Sequence, residues 1–129
     1  MKFYLAGKLD ASHYIETTVA PALERAGHTI TKKWWNEDWE PVTYRAHSVV
    51  ALQCESAVRR ADALVLVPLK DRGTGCFIEF GIALALGIPV YVLHPDGPQR
   101  NHRHSSFFHH PDVKILDHVT GLLKVANGE

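Results

Sequence analysis

The sequence lacks most of the features that fix a function class outright. It has two cysteines, Cys54 and Cys76. That is too few for a disulfide scaffold, their spacing is not of a metal-binding type, and reduced thiols in the cytoplasm fit them better. It has no charge excess: 14 Lys and Arg balance 14 Asp and Glu. A nucleic-acid polymer is therefore not the expected partner, because phosphate-backbone binders carry a basic surplus. A single nucleotide, which needs only one or two local cations, stays open. No Gly-x-x-x-x-Gly-Lys-Ser/Thr and no Gly-x-Gly-x-x-Gly occurs, which disfavours a nucleoside triphosphatase and a dinucleotide oxidoreductase. The apolar run at Met1–Gly7 is broken at once by Gly7, Lys8 and Asp10. It is too short for a signal peptide or a membrane span, so a soluble cytoplasmic protein with no membrane partner is expected. Repeats and low-complexity tracts are also absent.

What is present is the alternation of one α/β domain over residues 1–129, a length that supports one core and not two. Short apolar runs alternate with helical stretches, which predicts βαβ units and a mainly parallel sheet. Strands are expected at Phe3–Ala6, His28–Trp34, Ala63–Val67, Pro89–Leu93 and Val113–Leu116. Helices are expected at Ser12–Ala26, Thr43–Ala61, Cys76–Leu86 and His118–Ala126, with Gly27 and Gly87 stopping the first and third. The predicted architecture is a flavodoxin/Rossmann-like three-layer α/β/α sandwich with a five-stranded sheet. In such a sheet ligands lie beyond the carboxyl ends of the strands. That rule nominates Gly7–Asp10, Trp34–Trp39, Pro68–Gly75 and His94–Asn101 before any chemistry is considered.

The densest constellation runs from Asp62-Ala63-Leu64-Val65-Leu66-Val67 through Gly73-Thr74-Gly75-Cys76-Phe77-Ile78-Glu79-Phe80-Gly81-Ile82-Ala83 to Gly87-Ile88-Pro89-Val90. A buried strand delivers a glycine-rich turn whose N–H groups can face a phosphate or sugar. A carboxylate, Glu79, follows in or near the first turn of the next helix. Gly81, Ala83 and Ala85 are expected to let that helix lie close on the sheet. The alternative for Glu79 is an electrostatic cap on an ordinary helix start. Asp62, at a strand start, reads mainly as a cap for a neighbouring element.

This stretch resembles the nucleoside 2-deoxyribosyltransferases and the related deoxynucleoside-monophosphate N-glycosidases. Their pattern is an Asp-led buried strand, a turn, Gly-x-x-x-Glu-x-Gly-x-Ala, then Leu-Gly-x-Pro-Val. Gly75 to Ala83 matches that register, and Tyr4-Leu5-Ala6-Gly7 resembles the family's first strand. The resemblance implies cleavage or transfer of an N-glycosidic bond in a nucleoside or nucleoside 5′-monophosphate. Glu79 would be the nucleophile that attacks the anomeric carbon and holds a glycosyl intermediate. Tyr4 would hydrogen-bond near it; the alternative is an ordinary strand-end aromatic. No cofactor and no metal is implied, and a homodimer or larger homo-oligomer is expected.

The chain departs from the family at two positions. The glycosidases carry an Asp on the second helix where counting back from Asp62 gives Cys54, a residue that also reads as a buried structural thiol. The transferases carry an Asp six residues before the Glu, where this chain has Gly73, with Asp71 two residues earlier. Asp71 or Glu55 would then protonate the leaving base. If neither serves, a slow enzyme, an unusual substrate or a binding protein without catalysis follows.

The remaining candidates line the same crevice. Gly7, Lys8 and Asp10 follow strand one and, by the resemblance, line the sugar or phosphate pocket; Gly73, Thr74 and Gly75 form the turn. Trp34, Trp35 and Trp39 either wall the pocket or form a subunit interface. Arg100, Asn101 and Ser105 lie in a His- and Arg-rich loop that reads as an anion site, as a metal site or as plain surface. Competing functions are an NAD-type glycohydrolase on the same fold and a non-catalytic nucleotide-binding or sensor protein.

Overall fold

Buried parallel strands are apolar on both faces because helices cover both. β3 (Ala63–Val67) is the clearest case, with all five side chains buried. The computed structural model describes residues 1–36, 44–68, 74–94 and 106–129, without the side chains of residues 9, 44–46 and 74. β1 (Lys2–Gly7), β2 (Thr29–Ile30), β3, β4 (Val90–Leu93) and β5 (Val113–Leu116) form one sheet in the order β2-β1-β3-β4-β5, and every pairing is parallel. The expected five-stranded α/β architecture is thus observed. Its strand order is the flavodoxin-like doubly wound one, with the direction of winding reversing between β1 and β3.

β2 is much shorter than the predicted His28–Trp34. Only Thr29 and Ile30 pair, with Lys2 and Phe3. The backbone then leaves the sheet, and Trp34 opens a short 3₁₀ turn (Trp34–Asn36). The β1 edge beyond Phe3 would be left with an unmatched carbonyl, a costly state for a buried group. Trp34 fills that position: its indole N–H donates to the Leu5 carbonyl at 2.6 Å.

The first helical stretch runs from α1 (Ser12–Tyr14) through a π-helical segment (Ile15–Val19) into α2 (Ala20–Arg25). Pro21 explains the wide turn. It has no N–H, and its ring presses on the carbonyl four residues back, which an i→i+5 pattern relieves. α3 (Tyr44–Arg59), α4 (Thr74–Ala85) and α5 (Val119–Ala126) complete the helices. α3 packs on α4, which lies against β1, β3 and β4; α2 and α5 pack on each other, and α5 also lies against β4 and β5. α2 and α4 stop where expected, at Gly27 and Gly87 with φ of 92° and 72°. The residues beyond them return to Leu23 and Ala83 carbonyls at 3.0 and 2.9 Å, the closure that a left-handed glycine permits.

Two details place the site. Asp62 is structural: its N–H donates to the Lys2 carbonyl and its carboxylate accepts from the Lys2 N–H, both at 2.8 Å. This double contact clamps β1 to β3 at their amino ends, opposite the carboxyl ends. At the carboxyl end, Gly7 pairs with Val67. A Cβ on Gly7 would meet Ile15 Cδ1 at 3.0 Å, Ala11 Cβ at 3.1 Å and the Val67 carbonyl oxygen at 3.3 Å. Gly7→Ala is therefore expected to lower stability by about 1 kcal/mol or more, read as a drop in the urea midpoint at unchanged slope.

Candidate active site

Tyr4 is fully buried in the middle of β1, not at its end, and its hydroxyl donates a hydrogen bond to the Glu79 carboxylate. Glu79 stands on α4, which begins at Thr74, so it lies one turn deeper than the opening turn expected from sequence. Cys76, Phe80 and Ala83 form the buried stripe of that helix, and Glu79 sits beside the stripe, half-buried. Of the three small residues expected to pack on the sheet, only Ala83 does so. Gly81 and Ala85 are exposed, and a Cβ on Gly81 would meet nothing. Helical rotation decides this: residues 81 and 85 fall on the side away from 76, 80 and 83.

The third group at this spot is Cys54 on α3. Its thiol hydrogen-bonds with both Tyr4 and Glu79. The reading of Cys54 as a packed structural thiol is therefore corrected. It is half-buried and faces the cavity, because α3 turns Val50, Ala51 and Cys54 toward α4.

These three side chains line a cavity of about 460 Å³ between α3 and α4 at the end of the sheet, within the range of roughly 300–1,000 Å³ usual for small-molecule sites. Gly7, Lys8, Trp34 and Gly75 also contribute to its lining, as do Ile78 and Ile82. Gly75 is exposed and a Cβ there would meet nothing, so packing alone does not require glycine at that position.

Burial pushes the Glu79 carboxyl up from its ordinary 4.5 to about 7, while hydrogen bonds with Tyr4 and Cys54 pull it back down. The Tyr4 hydroxyl is held far above its ordinary range by burial first, then by the Glu79 charge. Burial, helped by Glu79, raises the Cys76 thiol to about 11. Among the described residues no cation pairs with Glu79, and no three His, Cys, Asp or Glu side chains gather into a metal-ion site.

A carboxylate of raised pKa, aimed into a cleft and held by a buried tyrosine, is the arrangement of a functional group more than of a packing residue. By sequence, no family model and no curated protein matches the chain. Among solved structures, a 2-deoxyribosyltransferase from the psychrotolerant bacterium Bacillus psychrosaccharolyticus matches with a TM-score of 0.72, at 19% identity, over 95% of this chain and 90% of that one. The CMP N-glycosidase BcmB of Clostridium botulinum matches with a TM-score of 0.62, at 14% identity, over the full length of both chains. The chain has the nucleoside 2-deoxyribosyltransferase-like fold. A conserved protein from Enterococcus faecalis V583 shares it, with a TM-score of 0.59, at 21% identity, over 97% of this chain and 87% of that one.

Within this deoxyribosyltransferase-like fold, the residues singled out from sequence divide cleanly. Glu79, Tyr4, Gly7, Lys8, Trp34 and Gly75 come together around the cavity. Asp10 is exposed and absent from the cavity wall, although its charge reaches Cys76. Thr74 opens α4. Asp71, Gly73, Arg100, Asn101, Ser105 and Trp39 lie outside the described residues. Glu55 borders the cavity but turns to Arg59, at 3.4 Å. His47, Val50, Ala51, Ile78 and Ile82 were not singled out as site residues. The signal for three of them was available as two apolar i, i+4 steps, Val50 with Cys54 on α3 and Ile78 with Ile82 on α4, which a periodicity reading assigns to the core. Of the histidine-rich segment, His110 has a structural part, its ring accepting the Asp112 N–H at 3.0 Å.

Proposed function

We propose that this chain cleaves or transfers the N-glycosidic bond of a nucleoside or nucleoside 5′-monophosphate, with Glu79 as nucleophile. The observation that carries the reading is the Tyr4–Glu79–Cys54 group: a half-buried carboxylate, unpaired by any described cation, open to a cavity of nucleoside size. Likeness to a deoxyribosyltransferase and an N-glycosidase of low identity supports the same chemistry. In this reading one Glu79 oxygen forms a bond to the anomeric carbon as the C–N bond breaks and its electron pair leaves with the base. Water, or a second base, then displaces Glu79. Tyr4 orients the carboxylate. Trp34 and the apolar side chains of α3 and α4 flank the base. Lys8 stands at the mouth, where its charge suits a phosphate, and Arg100, Asn101 and Ser105 are proposed to complete that phosphate contact. Asp71, Gly73 and Thr74 are proposed to contact the sugar or base. Exposed Val49 and Leu52, which line one groove beside α3, support a homo-oligomer, which light scattering on the purified chain would test.

Base release from nucleosides, nucleoside monophosphates and NAD, followed by chromatography, tests the reaction. Turnover of NAD alone would favour the glycohydrolase alternative. The thiol at Cys54, where a carboxylate is the family's residue, favours one further reading: binding without turnover, seen as tight association and no release from any member of the panel. If the reaction runs through Glu79, the ionised form is the active one. The kcat/KM is then expected to rise with pH around a midpoint near 7, where an unperturbed glutamate would reach its plateau by about pH 6. A profile already flat from about pH 6 would contradict this.

A further inference from the structure

The groups around Glu79 suit one departure better than another. When a neutral base leaves, the electron pair of the broken C–N bond must be met by a proton. Among the described residues, those in contact with Glu79 are poor sources of one. The Tyr4 hydroxyl is buried and already donates to Glu79. The Cys54 thiol is engaged with both, and burial holds the Cys76 proton tightly. Glu79 itself must be ionised to attack. The other ionisable side chains of the cavity wall are the exposed Lys8 and His47 and the half-buried Glu55, which faces Arg59. His47 lies seven residues before Cys54 on α3, about 10 Å further along the helix axis. The wall against which a base would lie is Trp34, Val50, Ala51, Ile78 and Ile82, and the Trp34 N–H is committed to the Leu5 carbonyl. These side chains hold a flat ring by contact. Of the polar groups beside them, Glu79 is the anion innermost in the site, and an aromatic ring face favours a cation.

We propose that the preferred substrates are N-glycosides whose base already carries a positive charge on its ring, such as N7-alkylated purine or pyridinium nucleosides. The proposal rests on the glycosidic reading above and narrows it. With such a substrate the C–N electron pair neutralises the ring charge, so the base leaves as a neutral molecule and no proton is transferred. Glu79 gains the glycosyl carbon; water then replaces it there and gives its proton to solvent.

The test compares 7-methylguanosine with guanosine, in ribose and deoxyribose forms, and includes nicotinamide riboside. Each kcat/KM is divided by the spontaneous cleavage rate of the same compound, because the cations are intrinsically more labile. The expected enhancement is at least tenfold larger for the cations. An acid catalyst would instead add about 10²–10⁴-fold to the neutral substrates. A ratio below tenfold overturns the proposal, and if the neutral rate then collapses in His47→Ala or Asp71→Asn, that residue is the acid. If wild type releases no base from any compound, or if Glu79→Gln retains full release, the glycosidic reading itself fails.

Discussion

Glu79→Gln is expected to lower base release by about 10³-fold or more and, at the same time, to make the protein more stable above neutral pH. The two effects share one cause. Gln keeps the shape and can still meet the Tyr4 hydroxyl, but it cannot form a glycosyl ester that water resolves. The stability change follows from linkage. The folded carboxyl titrates near 7 and the unfolded one near 4.5, so between those values the folded state holds more protons. Stability conferred by the protonated form is complete below about pH 4.5 and falls as pH rises toward 7. Above pH 7 the penalty of a desolvated carboxylate is on the order of 2 kcal/mol, allowing for its partial exposure. Glu79→Gln removes it. Thermal unfolding at pH 5 and pH 8 should show wild type losing stability across that range and the variant losing less. Equal pH dependence in the two proteins would mean that Glu79 is not the desolvated group.

Tyr4→Phe carries the second large effect. The hydroxyl stabilises the ionised form of Glu79, and a hydrogen bond to a charged group contributes about 1.5–3 kcal/mol. Without it the carboxyl is expected to titrate higher, moving the midpoint of kcat/KM against pH from about 7 to about 8 or beyond. At pH 7 the activity should fall at least about fivefold, with most of it recovered at about pH 9. Phe fills nearly the same buried volume, so a fall independent of pH would point to misplacement of Glu79 and not to its ionisation. A midpoint unchanged at 7 would remove Tyr4 from any part in tuning the site.

The elements legible in the sequence were those whose physics is local. β3 appears at the predicted residues because an apolar run in a parallel sheet needs no pattern beyond burial; β5, an edge strand with Lys114 exposed, also lies where predicted, and β4 begins one residue later, after Pro89. Gly27 and Gly87 stop their helices through a left-handed backbone that the residue type announces. Glu79 was legible as an isolated carboxylate in an apolar stretch. Less could be read where a residue's partner is distant. β2 pairs over two residues because Trp34 turns inward to the Leu5 carbonyl, a contact 29 positions apart. Gly81 and Ala85 are small, and smallness alone does not say which side of α4 meets the sheet. Cys54 counts as apolar in any periodicity, so a thiol facing a cavity looks the same as one facing the core. Its contact with Tyr4 and Glu79 required the fold to bring α3 over β1 and α4.

The most direct test is to trap the glycosyl intermediate. Wild-type protein incubated with 2-fluoro-substituted nucleosides of neutral and cationic bases, then quenched in acid, would be examined by intact mass and peptide mapping. A mass increase equal to one fluorinated sugar, located on the peptide that carries Glu79 and absent from Glu79→Gln, is the predicted result. Stoichiometric base release with no adduct, or with the sugar attached to another residue, would contradict it.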